Sequence, residues 1–230
     1  SVSIIIPIYN EEKTILEILK KINSLNNKEN LEIIVINDGS NDSTKQILED
    51  NKILYHKIQN LNRNQGKGKA IIEGLKIASN EYIFFQDADL EYDPNDLNKF
   101  IKIADANKAD LIMGSRFTGD KRSILHFWHA IGNKFITFVF NFLNNSTFTD
   151  IYCCHCLFKK EILEIKKLSS FGWGQQAEIL TFLITKSNKT YETSVNYDAR
   201  KYSEGKKIRY YNIFEVIYWM LITKIKILFK

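Results

Sequence analysis

Residues 82–91 read Tyr-Ile-Phe-Phe-Gln-Asp-Ala-Asp-Leu-Glu, an apolar run that ends abruptly in acids. Tyr82–Gln86 has the composition of a strand buried on both faces, as parallel sheets require. Asp87 and Asp89 follow one residue apart, and Glu91 stands two further on. Two like charges so close are costly unless solvent or a cation neutralises them. The pair marks either a solvated turn or a site for a hard divalent ion, Mg2+ or Mn2+, to which Glu91 would add a third oxygen. A diphosphate ligand favours the ion, because Mg2+ is usually held by one or two carboxylates together with substrate phosphates.

Outward from this stretch, Val2–Ile8, Leu31–Ile36, Ile53–Ile58 and Leu111–Gly114 are further short β-branched runs that read as strands. Between them Ile15, Ile18, Leu19, Ile22 and Leu25 recur on one face of an amphipathic helix. Ile71, Leu75 and Ala78 mark a second helix, and Leu97, Ile101 and Ala104 a third, opened by Pro94. This alternation predicts an α/β three-layer sandwich around a mostly parallel sheet. Ligands of such sheets bind beyond the carboxyl ends of the strands. At those ends the sequence places Pro7-Ile8-Tyr9-Asn10-Glu11-Glu12, Asn37-Asp38-Gly39-Ser40, Asp87-Ala88-Asp89-Leu90-Glu91 and Ser115-Arg116.

Each of these has a plain and a functional reading. Asn37-Asp38-Gly39 favours a turn, with Ser40, Asp42 or Ser43 capping the next helix, or Asp38 accepts hydrogen bonds from a base or ribose. Gln65-Gly66-Lys67-Gly68-Lys69-Ala70 opens a helix with glycines and lysines, where backbone N–H groups and positive charge meet phosphate. It fits neither the P-loop nor the dinucleotide pattern. Arg200, Tyr202, Glu204, Gly205, Lys206 and Lys207 form a basic loop, a solvated face unless it folds over the sheet edge, where Arg200 and Lys206 would neutralise a diphosphate. In the second half Ile124–Leu143 is an aromatic-rich helical stretch, Thr149–Phe158 reads as a strand, and Glu178–Thr185 as a helix. Tyr191–Arg200 reads as extended, and Ile208–Lys230 as a basic, aromatic terminal helix.

The length of 230 residues suits one domain, here residues 1–207, with an appended helix at 208–230. A composition of 44% hydrophobic and 26% charged residues is that of a globular chain. The net charge of +5 gives no reason to expect a nucleic-acid partner. Cys153, Cys154 and Cys156 fall too close together for a framework of bridges, so a reducing cytoplasm is the simpler setting. A zinc site at Cys153-Cys154-His155-Cys156 is rejected, since alternate side chains of an extended segment point to opposite faces. Val2–Ile8 reads as a strand rather than a secretion signal. No apolar stretch reaches the roughly 18–20 residues of a membrane span.

Together these pieces resemble the family 2 glycosyltransferases of the GT-A fold, and among them the dolichol-phosphate mannosyltransferase-like branch. The likeness is carried by Pro7-Ile8-Tyr9-Asn10-Glu11, Asn37-Asp38-Gly39-Ser40, Gly66-Lys67-Gly68, Asp87-Ala88-Asp89, Gly114-Ser115-Arg116, Thr149-Asp150 and Glu204-Gly205-Lys206-Lys207-Ile208, in that order. The resemblance implies a nucleotide-sugar donor, of the GDP-mannose or UDP-glucose type, held by Pro7, Tyr9, Asn10, Glu11 and Asp38. Lys67, Asp87, Arg116, Arg200 and Lys206 would face its diphosphate or the acceptor. It implies Mg2+ or Mn2+ on Asp87, Asp89 and Glu91. Asn37 departs from the family's frequent aspartate pair, and His126–Lys134 lacks the arginine that polyprenyl-phosphate transferases often carry there.

The implied reaction is an inverting hexosyl transfer, of mannose or glucose, with the metal and cationic side chains stabilising the leaving diphosphate. The expected acceptor is a polyprenyl phosphate, already anionic near neutral pH and in no need of a base. A sugar hydroxyl of a growing cell-surface glycan is the alternative and would need one, for which Asp150 is the candidate; Asp89, Asp150 and Arg200 make up the expected catalytic set. Asp150 otherwise orients the acceptor or braces its loop. A silent sugar-nucleotide binding module and a nucleotidyltransferase are the remaining rivals. The tail from Arg209 to Lys230 is either packed on the domain or a membrane contact, peripheral on the cytoplasmic face.

Overall fold

The computed structural model describes residues 1–26, 28–119, 127–199 and 212–229. Among these, β1 (Val2–Ile8), β2 (Leu31–Asn37), β3 (Lys57–Asn60), β4 (Tyr82–Phe85), β5 (Leu111–Ser115), β6 (Cys156–Lys159) and β7 (Thr190–Ser194) form one sheet in the order β3-β2-β1-β4-β6-β5-β7. Neighbours pair parallel, except that β6 runs antiparallel between β4 and β5. The helices are α1 (Ile15–Asn23), α2 (Thr44–Asp50), α3 (Lys67–Ile77), α4 (Leu97–Asn107), α5 (Phe127–Asn144), α6 (Gln175–Lys186) and α7 (Asn212–Leu228). This is the α/β sandwich that the alternation predicts.

The central strands are β-branched and apolar because both faces are covered, and every residue of β2 is buried. One charge interrupts them. Glu32 accepts hydrogen bonds from the Ser3 hydroxyl at 2.5 Å and from the Ser79 N–H at 2.9 Å, with the Lys57 ammonium at 2.6 Å. Burial raises this carboxyl, but these partners outweigh it and bring it down to about 2. The cluster ties β1, β2 and β3 together near the amino ends of β1 and β2, away from the edge where ligands bind.

Three elements differ from the sequence expectation, and one of them carries the zinc argument with it. Lys52–Leu54 is a 3-10 turn with Ile53 exposed, and the strand expected at Ile53–Ile58 is instead edge strand Lys57–Asn60, aligned by the pairing of Ile34 with Lys57. The strand expected over Thr149–Phe158 shrinks to Cys156–Lys159, because β4 and β5 offer β6 only that short ladder. The zinc argument assumed an extended chain through Cys153–Cys156, whereas only Cys156 lies in a strand, and all four residues are buried. Of the extended stretch expected at Tyr191–Arg200, the described residues 191–199 are regular only up to Ser194 in β7, followed by an isolated bridge between Tyr197 and Tyr92.

Helices α5 and α7 lie side by side and α7 also rests on α6. Gly132 sits beside Ile213, and Lys224 donates to Asn144 at 3.2 Å, so the two helices run parallel. Each buries one face, Ile136, Thr137 and Phe140 on α5 and Val216, Met220 and Thr223 on α7. Each leaves a row of large apolar side chains outside: Phe127, Trp128, Ile131, Phe135, Phe138 and Phe142, and Phe214, Tyr218, Leu221, Ile225 and Leu228. Among the described residues no helix is long and apolar enough to cross a membrane.

Candidate active site

The carboxyl ends of β1, β2, β4 and β5 open on a cavity of about 540 Å³. Pro7, Tyr9, Glu11, Asp38, Lys67, Asp87, Asp89, Glu91 and Arg116 all line it, so most of the residues singled out in the sequence converge. Asn10 does not line it. With φ 57° it turns the chain after β1 and receives a hydrogen bond from the Asn41 N–H at 2.8 Å, joining the β1 and β2 loops. Asp150 also lies outside the lining, and Arg200 and Lys206 fall outside the described residues.

Asp38 is buried at the end of β2 and accepts from the N–H groups of Gln65 and Gly66, both at 2.8 Å. Burial lifts its carboxyl above the usual range against the pull of those two donors. The aspartate thereby fixes the loop that starts α3, where Gly66 takes φ 95°, a conformation that a side chain would strain. Gly68 lies so close to the next wall that a Cβ there would sit 2.7 Å from the Ser170 carbonyl oxygen. These contacts set Lys67 facing Asp87, with the ammonium 2.5 Å from Oδ1. Desolvation raises Asp87, but the Lys67 charge prevails and holds it below its ordinary value.

The carboxylates Asp87 and Asp89 both line the cavity, with the Lys67 ammonium on Asp87 and the Glu91 N–H donating to Asp89 at 3.1 Å. Such a pair suits Mg2+ or Mn2+ completed by phosphate oxygens. The expected set of three acids is not assembled. Among the described residues no three His, Cys, Asp or Glu side chains are grouped to hold a metal. Glu91 instead accepts a 2.7 Å hydrogen bond from the Tyr197 hydroxyl.

Arg116, at the end of β5, reaches the cavity with a buried counterion behind it. Its Nε and second terminal nitrogen donate to the two oxygens of Asp150 at 2.7 and 2.9 Å. Asp150 also accepts from the N–H groups of Arg116 at 3.1 Å and Tyr152 at 3.2 Å. All four lone-pair positions of the carboxylate are therefore engaged. Asp150, expected as a base or a brace, is here the partner of Arg116 and lies outside the cavity lining. On the cavity side the guanidinium stacks 5.3 Å above the Tyr197 ring, which joins Arg116 to Glu91.

Several lining residues were not singled out in the sequence: Asn64, Tyr92, His129, Asn133, Tyr152, Tyr197, and Phe171, Gly172, Trp173, Gln175 and Gln176 of one loop and helix start. His129 and Asn133 stand four apart on α5 and turn one side of that helix to the cavity. Phe171-Gly172-Trp173-Gly174 has the glycines and aromatics of a close-packed loop, which is the one signal available for it. The Tyr152 hydroxyl donates to the Trp173 carbonyl, and Gln176 donates to the Cys153 carbonyl at 3.1 Å. Cys154 lines the cavity beside Asp87, and burial keeps its thiol protonated, well above its usual range.

The profile of Glycosyl transferase family 2 matches residues 3–165. An uncharacterized protein of Methanocaldococcus jannaschii is 32% identical over 219 residues, which cover 89% of this chain and 93% of that protein. Dolichol-phosphate mannosyltransferase of Pyrococcus furiosus is 29% identical over 220 residues, 94% of this chain but 61% of the relative. Glucosyl-3-phosphoglycerate synthase from Mycobacterium tuberculosis, solved with Mn2+, UDP and phosphoglyceric acid, aligns over 97% of this chain and 78% of its own at a TM-score of 0.71. At 17% identity that likeness shows the shared GT-A fold. The chain belongs to Glycosyl transferase family 2 and is a glycosyltransferase.

Proposed function

We propose that this protein transfers a hexose, mannose or glucose, from a nucleoside diphosphate sugar to a polyprenyl phosphate, with inversion at the anomeric carbon. The observation that carries this is the cavity itself. One wall pairs carboxylates Asp87 and Asp89 with a neighbouring Lys67, and another carries Arg116. A third belongs to α5, whose outer face is a row of exposed aromatics. The similarity to dolichol-phosphate mannosyltransferase supports the same acceptor class.

In this reading Pro7, Tyr9, Glu11 and Asp38 border the nucleoside, with Asn10 holding their loops together. Asp87 and Asp89 hold Mg2+ or Mn2+, which when bound stabilises negative charge on the leaving diphosphate. Arg116, kept in place by Asp150, presents a fixed positive charge to the same region, which is electrostatic stabilisation without reorganisation. Glu91 positions Tyr197 rather than the ion. An acceptor phosphate monoester is already a nucleophile near neutral pH, so no base is required of the chain. Residues 1–207 act as the catalytic domain. Helices α5 and α7 lay their apolar faces, with Lys134, Lys224 and Lys226 between and beside them, on a membrane surface as a peripheral contact on the cytoplasmic side.

The test is release of nucleoside diphosphate by purified protein with Mn2+, offered GDP-mannose or UDP-glucose and either a short polyprenyl phosphate or a soluble oligosaccharide. Turnover with the lipid phosphate alone is the expected result. Turnover only with the oligosaccharide would replace the acceptor class by a glycan hydroxyl. Donor binding without release to any acceptor would leave a silent binding module.

A further inference from the structure

Lys67 is the first residue of α3, and the backbone on either side of it is clamped. Gln65 and Gly66 are held by Asp38, and the Gly68 N–H donates to the Phe171 carbonyl at 3.1 Å. The side chain is not clamped: it is 46% exposed, and its ammonium touches Asp87 from across the cavity wall. A flexible four-carbon stem on a fixed base lets that ammonium swing without any change in the loop. Asp87 is also the carboxylate proposed to receive the divalent ion, and two cations in contact on one carboxylate repel each other.

We infer that Lys67 is an exchangeable cation. In the donor-free site it neutralises Asp87; when donor and metal enter, it yields that carboxylate to the ion and moves its ammonium onto the diphosphate. This rests on the metal reading proposed above. No bond is made or broken: one ion pair, Lys67 with Asp87, is replaced by two, metal with Asp87 and Lys67 with a phosphate oxygen. Metal alone therefore binds against a resident competitor. Metal with a diphosphate binds without that opposition, because the displaced ammonium has a new partner. The exchange makes metal and diphosphate binding cooperative, and by linkage each strengthens the other by the same factor. It also keeps Asp87 compensated when the cavity holds neither.

Mn2+ binding read from the electron paramagnetic resonance of the free ion tests this, alone and with UDP, GDP or inorganic pyrophosphate. The proteins are wild type, Lys67→Met, Lys67→Gln and Asp87→Asn, each checked for an unchanged thermal melt. In both Lys67 variants Mn2+ alone binds roughly tenfold tighter than in wild type, and the diphosphates at saturating Mn2+ bind roughly tenfold weaker, so the coupling between them falls. Mn2+ binding no tighter in either Lys67 variant, while it still depends on Asp87 in the wild type, overturns the exchange and leaves the metal reading standing. No Mn2+ binding by wild type with or without a diphosphate removes the metal reading and the exchange with it.

Discussion

Replacing Asp150 by Asn separates a brace from a base. Asp150 is fully buried, and its carboxylate is the counterion of an Arg116 whose side chain is 11% exposed. Asparagine keeps the shape, removes the charge and turns an N–H2 group toward the guanidinium. Leaving one partner of a buried pair uncompensated costs about 3–5 kcal/mol. In a chain of this length each kcal/mol shifts melting by about 2–4 °C, so Asp150→Asn melts on the order of 10 °C lower. The double variant Arg116→Met, Asp150→Leu removes both charges and regains part of that stability, because no buried charge is left uncompensated, although the N–H groups of Arg116 and Tyr152 lose their acceptor. It does not regain turnover, since the fixed charge on the cavity wall is gone. Circular dichroism melting and nucleoside diphosphate release measure both quantities on the same samples. An Asp150→Asn protein that melts with the wild type yet loses about 100-fold or more in turnover, the scale of a lost general base, would refute the brace.

Three further outcomes follow from other parts of the molecule. Gly68→Ala places a Cβ 2.7 Å from the Ser170 carbonyl oxygen, so it lowers stability by about 1–3 kcal/mol and weakens nucleotide binding together with it; calorimetric titration of UDP and GDP that shows undisturbed affinity contradicts the tight loop. His155 is buried among aromatic rings and burial brings it down to about 3, so the folded chain keeps it neutral while the unfolded chain protonates it below about 6.5. That group withdraws about 2 kcal/mol of stability between pH 7 and pH 5, and His155→Phe removes this slope in urea unfolding; equal slopes in the two proteins refute it. Phe142 and Phe214 are 80% and 75% exposed, so the double change to Ser leaves melting nearly unaltered. It weakens cosedimentation with anionic vesicles by roughly 100-fold if both rings enter the interface, and unchanged vesicle binding removes these helices from the membrane contact.

The parts of this protein legible in its sequence are those whose cause is local. Ile15, Ile18, Leu19 and Ile22 are apolar at helical spacing because one side of α1 faces the core, and all four are buried. Tyr82–Phe85 is apolar throughout because helices and strands cover both its faces, and the polar residues begin where the sheet ends. The strand expected at Ile53–Ile58 failed because an edge strand needs a partner on one side only, and the partner's register, not the apolar run, chose Lys57–Asn60. Site residues were legible where a strand end delivers them. Their roles were less so, since each role depends on a group far along the chain. Asp38 is 27 residues from Gln65, and Asp150 is 34 from Arg116. Nothing in Thr149-Asp150 distinguishes a free acid from one whose every lone pair is taken. Trp173, Tyr197 and His129 belong to the second half of the chain, where no periodicity points at the cavity.

The same long-range pairs fix the shape of the cavity wall. Glu192 of β7 accepts from the Thr149 N–H at 2.8 Å and its hydroxyl at 2.9 Å, which anchors the turn carrying Asp150. Asp150 anchors Arg116, Arg116 lies over Tyr197, and Tyr197 donates to Glu91, two residues from Asp89. Buried Asp96 accepts from the Asn196 N–H at 2.6 Å and its side-chain amide at 2.7 Å, so the segment leading from β7 into Tyr197 is pinned as well. A charge that must stabilise a leaving diphosphate is most effective when it is already in position, and each link here removes a degree of freedom from Arg116 or from the acidic turn. Lys67 is held differently, by one ion pair at the end of a half-exposed stem. A wall of fixed charges that also carries a movable Lys67 can admit an anion together with its metal without rearranging the fold.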